Sequence, residues 1–289
     1  MDYGYEMPMA EKNILNTILE TKHNEVEYLL SKRSLSDWRQ LAEAGPVCRD
    51  FHEALAKQPQ CALNLIAEVK RASPSAGIIR EDFDPPAIAR QYEAGGASAI
   101  SVLTDSEYFS GSLEYLKSVR EAVTLPVLRK DFIIDPCQVY ESRSVGADAI
   151  LLIAAGLEPV KLLELLQLAN GLGMTCLLEV HNAEELRSVI RAVGDDLSGG
   201  GDDTSQNLLG INNRDLTTFK VDIQTTINLA AMAGSDVAII SESGIKTRED
   251  VELLRAGGAV GMLVGQTLME SDDIPAAIEK LIGKIGAGR

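Results

Sequence analysis

The sequence predicts an α/β protein, a (β/α)8 TIM barrel with an N-terminal helical extension. Three observations predict it. Eight short aliphatic runs recur from Leu63 onward; a loop and an amphipathic helical pattern follow them in turn; and 289 residues suit one such barrel, which takes about 250. Strands alternating with helices at this period form a parallel sheet, and eight units favour closure over an open doubly wound sheet. An open sheet would more often carry GxGxxG after its first strand, and the sequence has none there.

Residues 1–62 stand apart as the extension. Between Asn13 and Lys32 the apolar positions Ile14, Leu15, Ile18, Leu19, Val26, Leu29 and Leu30 recur at the spacing of an amphipathic helix. A second short helix is expected over Arg49–Ala56. Neither is followed by a strand, so both lie outside the repeat. The barrel is expected over residues 63–289. Its strands are LNLIAEV (63–69), SAISVL (98–103), PVLRK (126–130), AILLI (149–153), MTCLLEV (174–180), LLGIN (208–212), VAIIS (237–241) and VGMLVG (260–265). Helical patterns such as PPAIARQYEAGGA and TREDVELLRAGGA separate them, and several end in Gly-Ala or Gly-Gly, as a helix cap before a strand should. One segment, 195–206 (DDLSGGGDDTSQ), lacks hydrophobes and is expected to be a flexible insertion before the sixth strand, on the face opposite the strand exits.

Composition narrows the function. A net charge of −16 disfavours nucleic acid and anionic membranes as partners, though it leaves room for one small basic pocket. Cys48, Cys61, Cys137 and Cys176 are scattered without CxxC spacing, which points to free thiols in a reducing compartment. His23, His52 and His181 pair with no cysteine or histidine at ligand spacing, so no metal site is expected. No apolar run approaches the roughly 18 residues of a membrane span, and the acidic N-terminus resembles no targeting segment. The expected location is cytoplasmic.

The strand exits carry the chemistry. Glu68 and Lys70 leave the first strand, with Ser73 and Ser75 in the loop; Lys130 leaves the third, Glu179 the fifth, Asn212 and Arg214 the sixth, and Glu242 the seventh. Glu68 and Lys70 share parity, so both can point into the barrel. Taken singly, each is an ordinary solvated rim residue, a strand-end cap or half of a structural ion pair. Together, three carboxylates, two lysines and an arginine on one rim exceed what capping needs, and such clusters separate acid from base roles. After strands seven and eight, ISESGIKTRED and VGQTLMES place Ser243, Gly244, Gly265 and Gln266 beside helix N-termini. There, backbone N–H groups can hold an anion, so a phosphorylated small-molecule substrate is expected.

At these residues the chain resembles the indole-3-glycerol phosphate synthases. The stretches are IAEVKRASPSAG (66–77), SVLTDSEYFSGSLEYL (101–116), PVLRKDFIID (126–135), ADAILLI (147–153), LLEVHN (177–182), GINNRDL (210–216), ISESGI (240–245) and VGQTLM (264–269); ILNTILETKHNEVEYL (14–29) is similar to the family's leading helix. The resemblance implies a barrel with its extension over the catalytic mouth, and closure of 1-(2-carboxyphenylamino)-1-deoxyribulose 5-phosphate to indole-3-glycerol phosphate with loss of CO2 and water, without a cofactor or metal. It implies Lys130 as the acid at the carbonyl and Glu179 as the base, with Lys70's share of the proton transfers open. It puts Lys70 and Arg214 near the anthranilate carboxylate, with Glu68 orienting the lysines. Asn212 would hold substrate hydroxyls, Phe109 and Phe132 would flank the aromatic ring, and Ser73, Ser243, Gly244, Gly265 and Gln266 would surround the phosphate; Glu242 is expected among the substrate-binding residues. Gln266 departs from the Ser or Glu frequent in the family. Another phosphosugar barrel, such as an isomerase, would leave the Glu68/Lys70/Lys130/Glu179/Arg214 set unexplained; a non-catalytic phosphometabolite-binding barrel would not need Lys130 or Glu179. The acidic surface and length permit a monomer.

Overall fold

A computed structural model describes residues 14–56, 62–197 and 207–283. Eight parallel strands close into a barrel: β1 (Asn64–Val69), β2 (Ala99–Leu103), β3 (Val127–Lys130), β4 (Ala149–Ile153), β5 (Thr175–Val180), β6 (Leu208–Asn212), β7 (Ile239–Glu242) and β8 (Gly261–Val264), with β8 pairing back onto β1. The strands agree with the expected runs to within two residues at each end. The fold expected from the sequence is therefore the fold observed.

Side-chain alternation divides each strand between two cores. One parity faces the helices: Leu65, Ala67, Ile100, Val102, Ile150, Leu152, Leu178 and Ile211 pack there. The other parity faces inward: Ile66, Ala99, Leu128, Ala149, Leu151, Leu177, Leu208 and Ile240 fill the interior. Glu68, Lys130, Glu179, Asn212 and Glu242 continue the inward parity toward the strand exits. The pairings Leu103↔Lys130, Ile153↔Glu179 and Asn212↔Glu242 bring those exits level. Gly210 lies on the same inward face, where a Cβ would collide with the Glu242 carboxylate; the glycine leaves that carboxylate its room.

The extension covers both ends. Helix α1 (Ile14–Lys32) buries Leu15, Ile18, Lys22 and Val26 as one stripe. Helix α2 (Leu35–Glu43), which the sequence reading did not include, starts at a capping box between Ser34 and Asp37 and buries only Trp38 and Ala42. Two buried side chains in nine residues give little apolar period to read. Helix α3 is Phe51–Ala56, two residues shorter than expected; its Phe51 and Leu55 are fully buried and plug the barrel interior from the end opposite the strand exits.

Helices α4 (Pro85–Gly95), α5 (Ser106–Phe109), α6 (Leu113–Ala122), α7 (Pro136–Ser144), α8 (Pro159–Gly171), α9 (Ala183–Leu197), α10 (Gln224–Ala233), α11 (Arg248–Ala256), α12 (Gln266–Met269) and α13 (Ile274–Ile282) complete the described chain. Residues 195–197 of the flexible insertion expected at 195–206 belong instead to α9, which continues to Leu197, whose buried side chain joins the outer core. Residues 198–206 lie outside the described residues, as does Cys61. Among the described residues no helix is long and apolar enough to cross a membrane.

What ties α1 to the barrel is electrostatic. Lys22, 1% exposed, reaches Asp105 at 2.8 Å, Asp131 at 3.0 Å and Glu25 at 2.8 Å. Asp131 also accepts from Arg129 at 3.0 Å and from the Thr104 hydroxyl at 2.6 Å. Burial alone would raise the Asp131 pKa, but the Arg129 and Lys22 cations outweigh it and hold the carboxyl well below its ordinary 3.8. A depressed carboxylate contributes stability that is full above 3.8 and is lost as pH falls from there toward its native-state value. Lys22→Met leaves buried Asp105 without its cation and Asp131 with Arg129 alone as counter-ion, and is expected to cost about 3–5 kcal/mol. Urea unfolding at neutral pH checks this, and a midpoint unchanged from wild type would contradict it.

Candidate active site

The strand exits and α1 enclose a cavity of about 880 Å³. All fourteen site residues expected from the sequence line it: Glu68, Lys70, Ser73, Phe109, Lys130, Phe132, Glu179, Asn212, Arg214, Glu242, Ser243, Gly244, Gly265 and Gln266. Ile14, Leu15 and Ile18 of α1 form part of its wall, with Leu151 and Ile153 contributing from β4. The sequence reading had these apolar residues only as helix and strand positions, not among the expected site residues.

Lys130 is the electrostatic centre. Its Nζ donates to Glu179 Oε2 at 2.9 Å and lies 3.4 Å from Glu242 Oε2. Burial would push its pKa down, yet Glu179, Glu242 and Glu68 overcome that and hold the ammonium charged above its ordinary range. The two glutamates diverge in consequence. Burial raises both, but Glu179 gains Lys130 and His181 as cationic partners and is held well below the usual carboxylate range. Burial dominates at Glu242; Lys130 opposes it, the neighbouring Glu179 charge adds to it, and the carboxyl is pushed up to about 8. Two buried carboxyls within reach of the same ammonium are thus driven in opposite directions, Glu179 toward ionisation and Glu242 toward protonation.

Around this centre the other expected residues form two groups. Lys70 Nζ pairs with Glu68 Oε1 at 2.7 Å. Asn212 Nδ2 donates to Glu179 Oε1 at 3.1 Å, while its Oδ1 accepts from the Arg214 backbone at 3.0 Å; the amide braces both neighbours. The Arg214 guanidinium donates to the Phe219 carbonyl at 3.4 Å, which anchors it beside the cavity. Phe109 and Phe132 stand with ring centroids 6.2 Å apart, an apolar wall. Asp105 holds that wall in place by accepting from the Tyr108 and Phe109 N–H groups at the start of α5.

The second group is the glycine rim. Ser243 and Gly244 both adopt left-handed backbone, φ 69° and 83°, and a Cβ on Gly244 would collide with Val221. Asn213 fixes this turn from just after β6: its Nδ2 donates to Ser241 Oγ and to the Ser243 carbonyl, both at 3.0 Å. Lys246 and Thr247, at the start of α11, also face the cavity. Gly265 precedes α12, and a Cβ there would strike the Glu68 carboxylate. Gln266 turns its amide to Glu270 at 2.7 Å. Ser73 lies in a small antiparallel hairpin, Ala72–Ser73 with Gly77–Ile78, where its Oγ accepts from Ala76 N–H. Backbone donors, two helix starts and a lysine give this side of the cavity the character of an anion site.

His181 also belongs to this neighbourhood, with Nε2 3.1 Å from Glu179 Oε1 and Nδ1 3.1 Å from Glu185 Oε2. The sequence reading considered it only as a metal ligand. Its parity with Glu179 was the available signal, the same one that joined Lys70 to Glu68.

The family model described as indole-3-glycerol phosphate synthase matches residues 15–281. An indole-3-glycerol phosphate synthase from Rhodopirellula baltica is 52% identical over 237 residues, 82% of this chain and 86% of that protein. One from Chromobacterium violaceum is 47% identical over 270 residues, 93% of this chain and 97% of that protein. Among solved structures, 3-hexulose-6-phosphate synthase from Salmonella typhimurium superposes with a TM-score of 0.58 over 76% of this chain and 96% of its own; at 12% identity that likeness is one of fold alone.

The divergence of the glutamates is directly measurable. Infrared difference spectra taken across pH 8 are expected to show loss of one buried carboxylic acid band, and Glu242→Gln should abolish it. A band retained in that variant would mean that another group carries the proton.

Proposed function

The chain belongs to the indole-3-glycerol phosphate synthase family, and from that premise we propose how the rim residues divide the work. The activity is that of a carbon–carbon lyase of tryptophan biosynthesis. The ring carbon that bears the carboxylate attacks the C2′ carbonyl of 1-(2-carboxyphenylamino)-1-deoxyribulose 5-phosphate. CO2 leaves, and the resulting hydroxyl departs as water, giving indole-3-glycerol phosphate.

Lys130 is the acid at the carbonyl. As oxygen takes on charge during ring closure, a buried ammonium is both proton donor and counter-ion. Glu179 is the base: it is ionised and held facing the cavity by Lys130 and Asn212. Glu242, protonated, adds an O–H donor without a second negative charge against the substrate. Lys70 and Arg214 receive the anthranilate carboxylate, with Glu68 steering Lys70. Lys70 also remains open to a share of the proton transfers. Phe109 and Phe132 hold the aromatic ring in dry surroundings that favour loss of CO2. The second amide hydrogen of Asn212 is available to a substrate hydroxyl. Ser73, Ser243, Gly244, Gly265 and Gln266 surround the phosphate, Gln266 through its backbone N–H. The observation that carries this reading is the single Lys130 ammonium 2.9 Å from Glu179 and 3.4 Å from Glu242, a placement that drives the pKa values of neighbouring groups apart, as acid and base roles need. The described cysteines Cys48, Cys137 and Cys176 are free, which supports a cytoplasmic setting, and the acidic surface suits a monomer there.

Incubation with the carboxyphenylamino-deoxyribulose phosphate is expected to yield indole fluorescence, and no product would sink the reading. Lys130→Ala should lower kcat by about 10²–10⁴-fold with little change in KM; unchanged turnover would mean that the wrong acid is named. Gly244→Val places a β-branched side chain at positive φ against Val221. It should raise KM for the phosphorylated substrate while kcat falls much less, and steady-state kinetics separate the two.

A further inference from the structure

We propose that His181 is a positioning residue for this reaction: hydrogen-bonded to Glu185 through Nδ1 and ion-paired with Glu179 through Nε2, it links the two and fixes the catalytic carboxylate from behind. The inference rests on the reading of Glu179 as the base.

Glu179 and Asn212 line the cavity; His181 and Glu185 do not. The imidazole side chain is 6% exposed, sealed between the two glutamates. On one side Nε2 meets Glu179 Oε1 at 3.1 Å, the oxygen that also accepts from Asn212. On the other side Nδ1 and the His181 backbone N–H both reach Glu185 Oε2, at 3.1 and 2.8 Å. Glu185 is itself fixed: it sits in the first turn of α9, Asn182 Oδ1 accepts from its N–H, and the Asn182 amide donates to its other oxygen. The relay runs from a helix start through a ring to the base. A carboxylate bound only by Lys130 could swing about that one contact; bound on its other oxygen by Asn212 and His181, it has one orientation left.

The charges that face the ring are Glu179 from β5, Glu185 from α9 and Asp215 from the loop after β6, with Lys130 beyond Glu179. Burial lowers the imidazole's proton affinity, but the bonds to Glu179 and Glu185 reverse this and push it up to about 10. A cationic ring explains how both nitrogens can face carboxylates, since a neutral ring would present one lone pair to an anion. It also assists Lys130 in keeping Glu179 ionised. Removing the charge should therefore raise the pKa of Glu179 and move the acid limb of the kcat profile to higher pH.

His181→Leu removes both donors, and His181→Gln restores a donor without charge. For His181→Leu we expect kcat to fall about 10- to 100-fold, as for a base left loosely aimed, with KM near wild type. His181→Gln should recover part of kcat while its acid limb stays displaced upward. A purely structural role would move neither the limb nor the kcat-to-KM balance. Nitrogen NMR of the wild-type imidazoles, with His181 identified by its loss in the variants, should show both of its ring nitrogens protonated at neutral pH, and a neutral ring overturns the proposal. If His181→Leu does not fold, Glu185→Gln provides the kinetic arm, since Glu185 lies behind the cavity; a wild-type kcat and acid limb in that variant would overturn the proposal. Glu179→Gln separates the two levels. Turnover retained there would refute Glu179 as the base. Turnover lost there, with wild-type kcat and acid limb in His181→Leu, would refute the His181 role alone.

Discussion

The active end of this barrel is organised by the need to balance one buried ammonium. Lys130 sits at the end of an inward-facing row, where it is largely removed from water, so it is matched by anions held by the protein. Glu68, Glu179 and Glu242 supply more negative charge than Lys70 and Lys130 can offset. The excess is resolved by distribution: Glu179 receives Lys130 and His181 and stays ionised, while Glu242 keeps its proton. The proposed acid and base thus follow from crowding three carboxylates into one mouth. Parity makes the crowding possible, because five strands direct their last inward residue to the same place.

Each catalytic element has a brace of its own. Asn212 holds Glu179 and the Arg214 backbone together, Asn213 pins the left-handed turn at Ser243, and Asp105 caps the helix that carries Phe109. These braces lie at the end of β6, immediately after it and in the loop after β2, so the rim is held from a strand end as well as by the loops that form it. Gly210 and Gly265 contribute by omission, leaving space for the Glu242 and Glu68 carboxylates.

How much of this was legible in the sequence follows from what kind of signal each feature leaves. Strand period and parity are local, so the barrel and rim residues such as Glu68, Lys70 and Glu179 could be read from runs such as AEVK and LLEVH, whereas Phe109 and Phe132 came from the family resemblance. Features that depend on tertiary partners could not. Lys22 sits among apolar neighbours on α1, but a lysine on a helix ordinarily reaches water; only Asp105 and Asp131, far along the chain, reveal why it is buried. Helix α2 has two buried side chains, too few for a period. His181 was judged by its lack of metal-ligand companions, and its partners are carboxylates. The end of α9 was drawn too early because Asp195 and Asp196 look like loop, whereas Leu197 beyond them is buried.

The fastening of α1 to the barrel has a further consequence. The chain carries a net charge of −16, and interactions across its acidic surface weaken as mobile ions accumulate around it. The pairs of Lys22 with Asp105 and Asp131 are dry, and counter-ions have no path between them. The roof over the cavity is therefore insulated from the electrolyte outside. Enclosure of the substrate and the ionic strength of the medium are decoupled, although both are matters of charge.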